Sequence, residues 1–486
     1  MVRQKQVKNR SSSPLSLERW DKKYIWHPFT QHSLWQNEPT LIIASGQGAY
    51  LKDVHGRRFL DGVSSLWLNL QGHRNPVLDR ALKRQLSKIA HSTFLGLSHP
   101  PAIHLARALA QLAPKGLSRS FFSDNGATSV EIALKMAYQY WIETSGTGSS
   151  RKTEFLALTG SYHGDTIGAV SVGGIDLYHA KFRSLLFKTR FAMAPDCVHC
   201  PFNKTGLRHR TRLGEKITDV PVPGKARRET GCRWNCLGSV ESILTKRAGR
   251  VAGAIIEPVV QGAVGINVMP PGYVAGFRRL CTKYHVLMIA DEVATGFGRT
   301  GSLFACDQEN VAPDLLCLAK SITGGYAPLA VTMATEKIFK AFWGPVAAGR
   351  TFFHGHSFTA HPLAAAVAVA NLELIKSSKL LEKSHHKAHI MKEELQSLAG
   401  LPRVGSIRQA GLMAGIEVVS DSTTGKPFPS ALRMGARICK KLLSHGIWLR
   451  PLGDVIVLMP PLIISDTDLR RLVRTVGRVI LHEGKT

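Results

Sequence analysis

Long apolar runs, cysteines and acidic residues are what this sequence of 486 residues has least of. No stretch approaches the roughly 18 to 20 consecutive apolar residues of a membrane-spanning helix, so we expect no membrane association. The eight cysteines form no regular framework, and the N-terminus lacks the apolar core of a secretory signal. We therefore expect a reducing, cytoplasmic compartment. The composition, 44% hydrophobic and 20% charged, excludes a fibrous or disordered chain.

The shortage of acidic residues leaves a strongly basic chain, because 63 Lys and Arg stand against 34 Asp and Glu, a net charge of +29. Such an excess raises nucleic acid as a partner. The first twenty residues contribute +4 and a basic insert, residues 201–231, contributes +5, while the remaining excess is spread thinly along the chain. No zinc-finger, helix-turn-helix or RNA-recognition motif accompanies it, and no aromatic residues alternate with the basic ones. We interpret the charge as a solvated surface and expect no specific nucleic acid.

Composition and periodicity divide the chain into four segments. Residues 1–17 are basic and Ser-rich and predict a disordered arm. Residues 18–75 predict an N-terminal strand segment with Gly56 at the tip of a hairpin. Residues 76–349, which contain the basic insert, predict a large domain, and residues 350–486 predict a smaller α+β domain.

The large domain shows the alternation that is typical of α/β folds. A helix pattern begins near Ala127 and runs to Trp141. Apolar runs of strand length, each followed by polar or Gly-rich residues and then a helix pattern, begin at Glu154, Val251, Val286 and Leu315. Continuous apolar strands between helices predict a mostly parallel sheet that is covered on both faces.

Two polar residues follow buried strands of this predicted sheet, Asp291 after "VLMIA" and Lys320 after "LLCLA". Ligands bind at the carboxyl ends of such strands. Pyridoxal phosphate requires an amine for its aldehyde and a carboxylate that keeps its pyridine nitrogen protonated. Singly, such a lysine is usually a surface residue and such an aspartate a cap, so only the pair predicts this cofactor.

The remaining parts of a cofactor site are also present in the sequence. Gly126 and Ala127 begin a predicted helix, whose free N–H groups and dipole favour a phosphate, and Thr128 adds a hydroxyl. Tyr162 offers an aromatic face for a planar ring, with Val293 as an apolar partner on the other face. A glycine at a helix start is weak evidence alone, because structural helices begin in the same way.

Six motifs in order resemble the class III aminotransferases: "SDNGATSVEIALKMA", "YHGDTIGAVSVGG", "EPVVQG", "DEVATGFGRTG", "AKSITGGYAPLA" and "HGHSFTAHPLAAA". The resemblance covers residues 25–481. It implies fold type I of the pyridoxal-phosphate-dependent transferases and a homodimer with shared active sites. It implies Lys320 as the catalytic lysine that carries the cofactor, and Asp291 at the pyridine nitrogen. Ser357 is expected to reach the phosphate held by the partner subunit.

Within the family, "WHPFTQ", "SSLWLNLQGHRNP", "IAHSTFLG" and "LRPLGDVIVLMPP" resemble members that convert 8-amino-7-oxononanoate to 7,8-diaminononanoate in biotin biosynthesis. An aliphatic keto acid needs an apolar trough and a distant cation. Trp67 and Arg450 are expected to supply them. The resemblance gives the substrate-binding residues as Trp67, Tyr162, Lys320, Gly355 and Arg450.

Two amino donors are compatible with the sequence. Members that use S-adenosylmethionine carry tyrosines at two positions where this chain has Phe29 and Val457, and lysine-using members resemble this chain there. S-adenosylmethionine is the donor expected for the family as a whole, and L-lysine is the second candidate. The sequence is also compatible with a different ω-amino acid aminotransferase and, from another class, with a basic nucleic-acid-binding protein.

Two cysteine pairs flank the basic insert, Cys197 with Cys200 and Cys232 with Cys236. Such pairs are able to form a tetrahedral zinc site. The loop between them is larger than in common zinc ribbons, and relatives carry similar pairs without an implied metal, so we expect none. His163 is expected to neighbour the cofactor ring or phosphate, because the lysine already moves the proton in this chemistry.

Overall fold

The computed structural model describes residues 13–202 and 232–483. Residues 1–12 of the predicted arm and 203–231 of the predicted basic insert lie outside the described residues. None of the helices in the described ranges combines the length and apolar character that crossing a membrane requires.

The chain is helical earlier than predicted, because a helix begins at Pro14, inside the expected disordered arm. Ser13 Oγ accepts the N–H of Ser16 at 3.3 Å and caps this helix, and a proline is favourable at a first helical position. In the described residues, the α-helices α1 to α15 are Pro14–Tyr24, His32–Asn37, Ser64–Trp67, Pro76–Leu86, Pro100–Leu112, Gly126–Glu143, Ile167–Ser171, Asp176–His179, Asn235–Arg247, Tyr273–Lys283, Glu336–Ala341, Pro362–Ser377, Leu380–Gln396, Met434–Ser444 and Asp466–Glu483.

The strands include all four that the large domain predicts. The run at Val251 is divided, because Pro258 has no N–H for a ladder. In the described residues, β1 to β17 are Ile43–Gln47, Tyr50–Asp53, Arg58–Asp61, Leu117–Ser123, Glu154–Leu158, Thr189–Ala192, Val251–Ile256, Val260–Gln261, Asn267–Val268, Leu287–Asp291, Leu315–Leu318, Ala330–Thr335, Val404–Ala410, Met413–Val418, Ile447–Trp448, Pro451–Leu452 and Val455–Leu458.

The central sheet has the order β4-β12-β11-β10-β7-β5-β6. Only β12 runs antiparallel to its neighbours, β11 and β4, and the other pairs are parallel. Successive residues of β10 point to opposite faces, so Leu287 and Ile289 join one buried apolar cluster while Met288 and Ala290 join another. This sheet, covered on both faces, confirms the predicted α/β architecture.

The smaller C-terminal domain is also confirmed. Its antiparallel sheet has the order β13-β14-β17-β16, and helix α13 packs against α15 beside it. The predicted N-terminal hairpin is present, with Gly56 at φ +83° between β2 and β3. Strand β3 of this hairpin pairs in parallel with β15, which brings Leu60 opposite Ile447. The two ends of the chain therefore share one sheet.

Candidate active site

A cavity of about 730 Å³ lies where β5, β10 and β11 of the central sheet end. Parallel strands gather the residues that follow them at one edge of a sheet, which is why side chains distant in sequence meet there. The residues that the sequence predicts and that line this cavity are Trp67, Gly126, Ala127, Tyr162, Asp291, Val293 and Lys320.

Lys320 opens a short 3-10 turn just after β11 and has φ +46°, in the left-handed region that few residues other than glycine adopt. Burial lowers the pKa of its amine below the ordinary value, and the charges of Asp291 and Glu257 partly oppose that effect. Because the neutral amine is the nucleophile, a lowered pKa increases its reactive fraction.

The ring of Trp67 stands beside this amine, since Lys320 Nζ lies 5.1 Å from the ring centroid. A cation at that distance from an indole is attracted by the ring's quadrupole. On another side the ring touches Gly262, where an added Cβ would come within 2.9 Å of Trp67 Cζ3. The indole is therefore fixed between the lysine and a backbone that only glycine fits.

Asp291 ends β10, and its two carboxylate oxygens have different partners. Oδ1 accepts the N–H of Val293 at 3.0 Å, and Oδ2 lies 2.7 Å from His163 Nδ1. An ionised carboxylate only accepts, so Nδ1 carries the proton and donates. His163 Nε2 is buried and has no hydrogen-bond partner in the part of the chain that the structure describes. The sequence prediction placed His163 near the cofactor but missed this bond.

Helix α6 begins at Gly126, and its first N–H groups face no intrahelical acceptor. Asn125 Oδ1 accepts the N–H of Thr128 at 3.0 Å, and the Thr128 hydroxyl donates to Asp124 Oδ1 at 3.0 Å. Thr128 thus belongs to the helix cap and does not line the cavity. The N–H groups of Gly126 and Ala127 have no recorded acceptor among the described residues, and both residues line the cavity.

Glycine is required at 126 because Val293 packs against the helix start. An added Cβ there would lie 2.6 Å from Val293 Cγ1. Gly164 is constrained in the same way, with φ +123° and an added Cβ 2.4 Å from Ala127 Cβ. Close packing of three backbone segments therefore shapes the end of the cavity where the helix begins.

Tyr162 lines the cavity and is fixed at both ends. Its N–H donates to Glu257 Oε1 at 3.1 Å, and its hydroxyl donates to Asp165 Oδ2 at 2.8 Å. Glu257 Oε2 also accepts the N–H of Gly262 at 3.0 Å, and burial raises the pKa of Glu257 to about 7. The sequence prediction quoted "EPVVQG" but did not single out Glu257, because the partners of this carboxyl lie on two separate loops.

Besides Thr128, three predicted residues do not line the cavity. Gly355 and Ser357 lie exposed on the segment between β12 and α12, and Arg450 is half-buried between β15 and β16. The expected role of Ser357 in a partner's site is consistent with exposure and remains a prediction. Of the two positions that bear on the donor, Phe29 is 58% exposed and its ring centroid lies 5.5 Å from that of Tyr178, while Val457 is buried in β17.

Of the cysteines beside the basic insert, Cys197, Cys200 and Cys236 are free thiols. Burial raises the pKa of Cys236 to about 11, with contributions from Cys232 and Cys200. Residues 13–202 and 232–483 contain no group of three or more His, Cys, Asp or Glu side chains arranged to hold a metal ion. A zinc site therefore receives no support from the described residues.

The chain matches known aminotransferases along nearly all of its length. The family model described as aminotransferase class-III matches residues 32–480. The adenosylmethionine-8-amino-7-oxononanoate aminotransferase of Geobacter sulfurreducens is 45% identical over 458 residues, covering 94% of this chain and 96% of that protein. The protein of the same name from Aquifex aeolicus is 45% identical over 462 residues, covering 95% and 96%.

Solved structures of aminotransferases also superpose on nearly the whole chain. The adenosylmethionine-8-amino-7-oxononanoate aminotransferase from Methanocaldococcus jannaschii superposes with a TM-score of 0.86 at 38% identity, covering 97% of this chain and 99% of that one. The omega transaminase from Pseudomonas jessenii in complex with PMP has a TM-score of 0.85 at 28% identity, covering 96% and 97%.

Proposed function

Because this chain belongs to the class III aminotransferases and is a pyridoxal-phosphate-dependent transaminase of fold type I, we propose that it converts 8-amino-7-oxononanoate to 7,8-diaminononanoate in biotin biosynthesis. The main structural support for this proposal is the cavity in which Lys320 lies beside Trp67 and near Asp291. The names and full-length coverage of its relatives support this substrate.

The residues of the cavity fit the cofactor. The amine of Lys320 suits its aldehyde, and the Asp291 carboxylate suits a protonated ring nitrogen. The N–H groups of Gly126 and Ala127 at the start of α6 suit its phosphate. Tyr162 and Val293 are proposed to enclose the ring from its two faces, and the unpartnered His163 Nε2 offers a further hydrogen bond.

When bound, pyridoxal phosphate supplies an electron sink for the negative charge that develops at the carbon bearing the transferred amine. Lys320 Nζ is proposed to remove a proton from that carbon of the donor and to return one to the acceptor's C7. Its lowered pKa increases the fraction of the amine that is neutral and therefore able to accept a proton. His163 and the Val293 N–H fix both oxygens of Asp291, so this carboxylate would be held in place for the protonated ring nitrogen.

The acceptor is a long aliphatic keto acid, and the lining of the cavity suits its chain. Trp67 and Leu68 provide apolar surface next to Lys320. Arg450 is proposed to bind the carboxylate, and its place outside the lining residues accords with an acceptor whose charge is far from the reacting ketone. Gly355 is proposed to contact the acceptor.

We propose S-adenosylmethionine as the donor, in line with the names of the relatives. The same reaction with L-lysine is a second candidate, favoured by Phe29. Its ring is exposed and touches Tyr178, whose ring centroid lies 6.2 Å from that of Tyr162 at the cavity. At this entrance a tyrosine would offer a hydroxyl to a polar donor, and phenylalanine offers none.

A homodimer with shared active sites is the proposed assembly. The segment before α12 carries two exposed aromatic residues, Phe353 at 83% and Phe358 at 56% exposure, on either side of Gly355 and Ser357. Clustered exposed apolar side chains are typical of a surface that another chain covers. Location in the cytoplasm stays a prediction.

A single-turnover absorbance experiment tests the reaction and the donor together. The purified protein with pyridoxal phosphate is mixed separately with S-adenosylmethionine and with L-lysine, and the absorbance of the lysine-bound cofactor is followed. We expect one donor to remove that absorbance and 8-amino-7-oxononanoate to restore it. Loss of absorbance only with other ω-amino acids, or no restoration by the keto acid, would contradict the proposed substrate.

A further inference from the structure

The segment that carries Trp67 has an unusual backbone. Ser64, Ser65 and Trp67 have φ of +50°, +60° and +68°, so three of four consecutive non-glycine residues occupy the left-handed region. Such conformations persist only where the surrounding structure holds them, and they concentrate at functional sites. The residues that hold this segment therefore determine where the Trp67 ring lies.

Asp61, at the end of β3, binds the backbone of this segment through hydrogen bonds. Its fully buried carboxylate accepts the N–H of Ser65 at 2.9 Å on Oδ1 and 2.8 Å on Oδ2, and the N–H of Val63 at 3.4 Å. Ser64 is held from the C-terminal domain, since its hydroxyl donates to the carbonyl of Met459 at 2.7 Å.

His73 and Asn69 link Asp61 to the loop that follows Lys320. His73 Nε2 lies 2.9 Å from Asp61 Oδ2, and Asn69 Nδ2 lies 2.9 Å from His73 Nδ1. With the proton of a neutral ring on Nε2, His73 donates to the carboxylate and accepts from the amide. Asn69 in turn packs on the loop that follows Lys320, where a Cβ on Gly325 would lie 2.0 Å from Asn69 Oδ1.

We propose that Asp61 is a positioning residue for transamination, because its bonds to Ser65 and His73 hold the strained segment that fixes the Trp67 ring beside Lys320 Nζ. Asp61 does not line the cavity, and neither do its hydrogen-bond partners Val63, Ser65 and His73, so it acts through Trp67. The proposal concerns the rate of the proposed reaction and so rests on the proposed function. Its structural content, that Asp61 sets the place of the Trp67 ring, is measurable separately.

The chain contains a matched control one strand earlier. Asp53 ends β2 as Asp61 ends β3, is similarly buried, and accepts the N–H groups of the residues two and four positions later, His55 at 3.0 Å and Arg57 at 2.8 Å. The turn that Asp53 holds leads to the hairpin at Gly56 and not to the cavity. Asp53→Asn and Asp61→Asn therefore remove similar bonds with different expected effects on the reaction.

The kinetic test is a double-mutant cycle in the holoenzyme with Asp61→Asn, Trp67→Phe and the combined variant. We expect Asp61→Asn to lower kcat on the order of tenfold to a hundredfold, as misplacement of a site residue does. The loss should be much smaller in the Trp67→Phe background, because interacting sites are not additive. Equal losses in both backgrounds, or an equal loss in Asp53→Asn, would show that Asp61 acts only on general stability and would overturn the proposal.

Fluorescence of the cofactor-free protein gives a readout that does not depend on activity. The emission of Trp67 is obtained by subtracting the spectrum of Trp67→Phe from that of the parent, with and without Asp61→Asn. We expect Asp61→Asn to shift this emission to longer wavelength and to increase its quenching by acrylamide. An unchanged Trp67 emission would overturn the proposal, whereas a shifted emission in a protein that does not aminate 8-amino-7-oxononanoate would contradict only the proposed function.

Variants of His73 cover the case in which Asp61→Asn does not fold. His73→Gln keeps an N–H donor for Asp61 Oδ2, and His73→Leu removes it. We expect the glutamine variant to retain kcat and the Trp67 emission of the parent, and the leucine variant to reproduce the losses expected for Asp61→Asn. Equal behaviour of the two variants would contradict a role for this bond.

Discussion

His163 Nδ1 donates to Asp291 Oδ2 at 2.7 Å, and the two residues are 128 positions apart in the chain. His163 follows β5 and Asp291 ends β10, and β7 lies between these strands in the sheet. Both side chains are buried, so the bond forms where water competes little. The carboxylate proposed for the ring nitrogen is thus oriented by a second residue.

Replacement of His163 by alanine is expected to weaken binding of pyridoxal phosphate about tenfold to a hundredfold, because a bond to a charged acceptor contributes about 1.5–3 kcal/mol. Titration of the cofactor-free protein by absorbance measures this affinity. His179→Phe is the control, since His179 is also buried and its ring stacks near Tyr162, at 6.4 Å, without a recorded bond to Asp291. Equal losses of affinity in both variants would contradict the orienting role of His163.

Lys320 and Lys152 both have a lowered pKa, but we expect substitution of the first to affect turnover and substitution of the second to affect stability. Lys320→Ala should abolish turnover and leave a folded protein. Lys152, whose pKa burial lowers to about 8, donates to the carbonyls of Ala248, Val251 and His285 at 2.8, 3.1 and 2.9 Å. Lys152→Met should reduce the free energy of unfolding by about 1–3 kcal/mol and leave kcat nearly unchanged. Denaturant unfolding and steady-state kinetics check both variants, and turnover in Lys320→Ala would refute the assignment of the lysine.

Subunit mixing tests whether Ser357 serves the partner's site. Lys320→Ala and Ser357→Ala chains are each expected to be weakly active or inactive alone. If Ser357 acts across the interface, a mixed dimer contains one site with both substitutions and one intact site. We therefore expect mixing to restore about a quarter of the parent activity, because half of randomly paired dimers are mixed and each has one of two sites intact. No restoration would place Ser357 in its own chain's site or outside both.

The loop before the basic insert gives a pH prediction. Hydrogen bonds to Asp196 and Glu417 raise the pKa of His199 from 6.5 to about 10, and the bond to Glu417 joins the loop to β14. A raised pKa stabilises the folded state fully below pH 6.5, and the contribution disappears as pH rises through 10. The free energy of unfolding should therefore exceed that of His199→Gln at pH 6 and converge with it above pH 10. Since the side chain is half-exposed, the difference should stay below about 1 kcal/mol. A difference in the free energy of unfolding between the parent and His199→Gln that does not change with pH would contradict this prediction.

Local patterns predicted much of this molecule because they have local physical causes. The apolar runs at Glu154 and Leu315 have no polar face, so they had to become buried strands, and Lys320 had to emerge at a strand end. The site motifs then gathered at one edge of the sheet, as parallel strands require. In the same way, the helix predicted to begin at Gly126 and Ala127 is present in the structure.

Contacts across the sheet could not be predicted in this way. The bond between His163 and Asp291 depends on strand order, and the two N–H donors of Glu257 come from separate loops. No spacing within one segment carries that information. The helix at Pro14 was missed because the surrounding basic and serine residues are typical of disorder. Its N-cap, Ser13, is only one of several serines there, so the sequence did not single it out.

The pairing of β15 with β3 also affects the order in which the chain is completed during translation. Leu60 leaves the ribosome long before Ile447, its neighbour across the strands, and Ser64 leaves it long before Met459, which accepts the Ser64 hydroxyl. Contacts between such distant residues form late, because the intervening chain must exist first. The central sheet has all its strands long before then. A nascent chain stalled before residue 447 should consequently contain the lysine's strand and the Asp61 bonds but lack the contact of Ser64 with Met459 and the pairing of β3 with β15. The Trp67 segment would then gain its full set of contacts only after Met459 has been made.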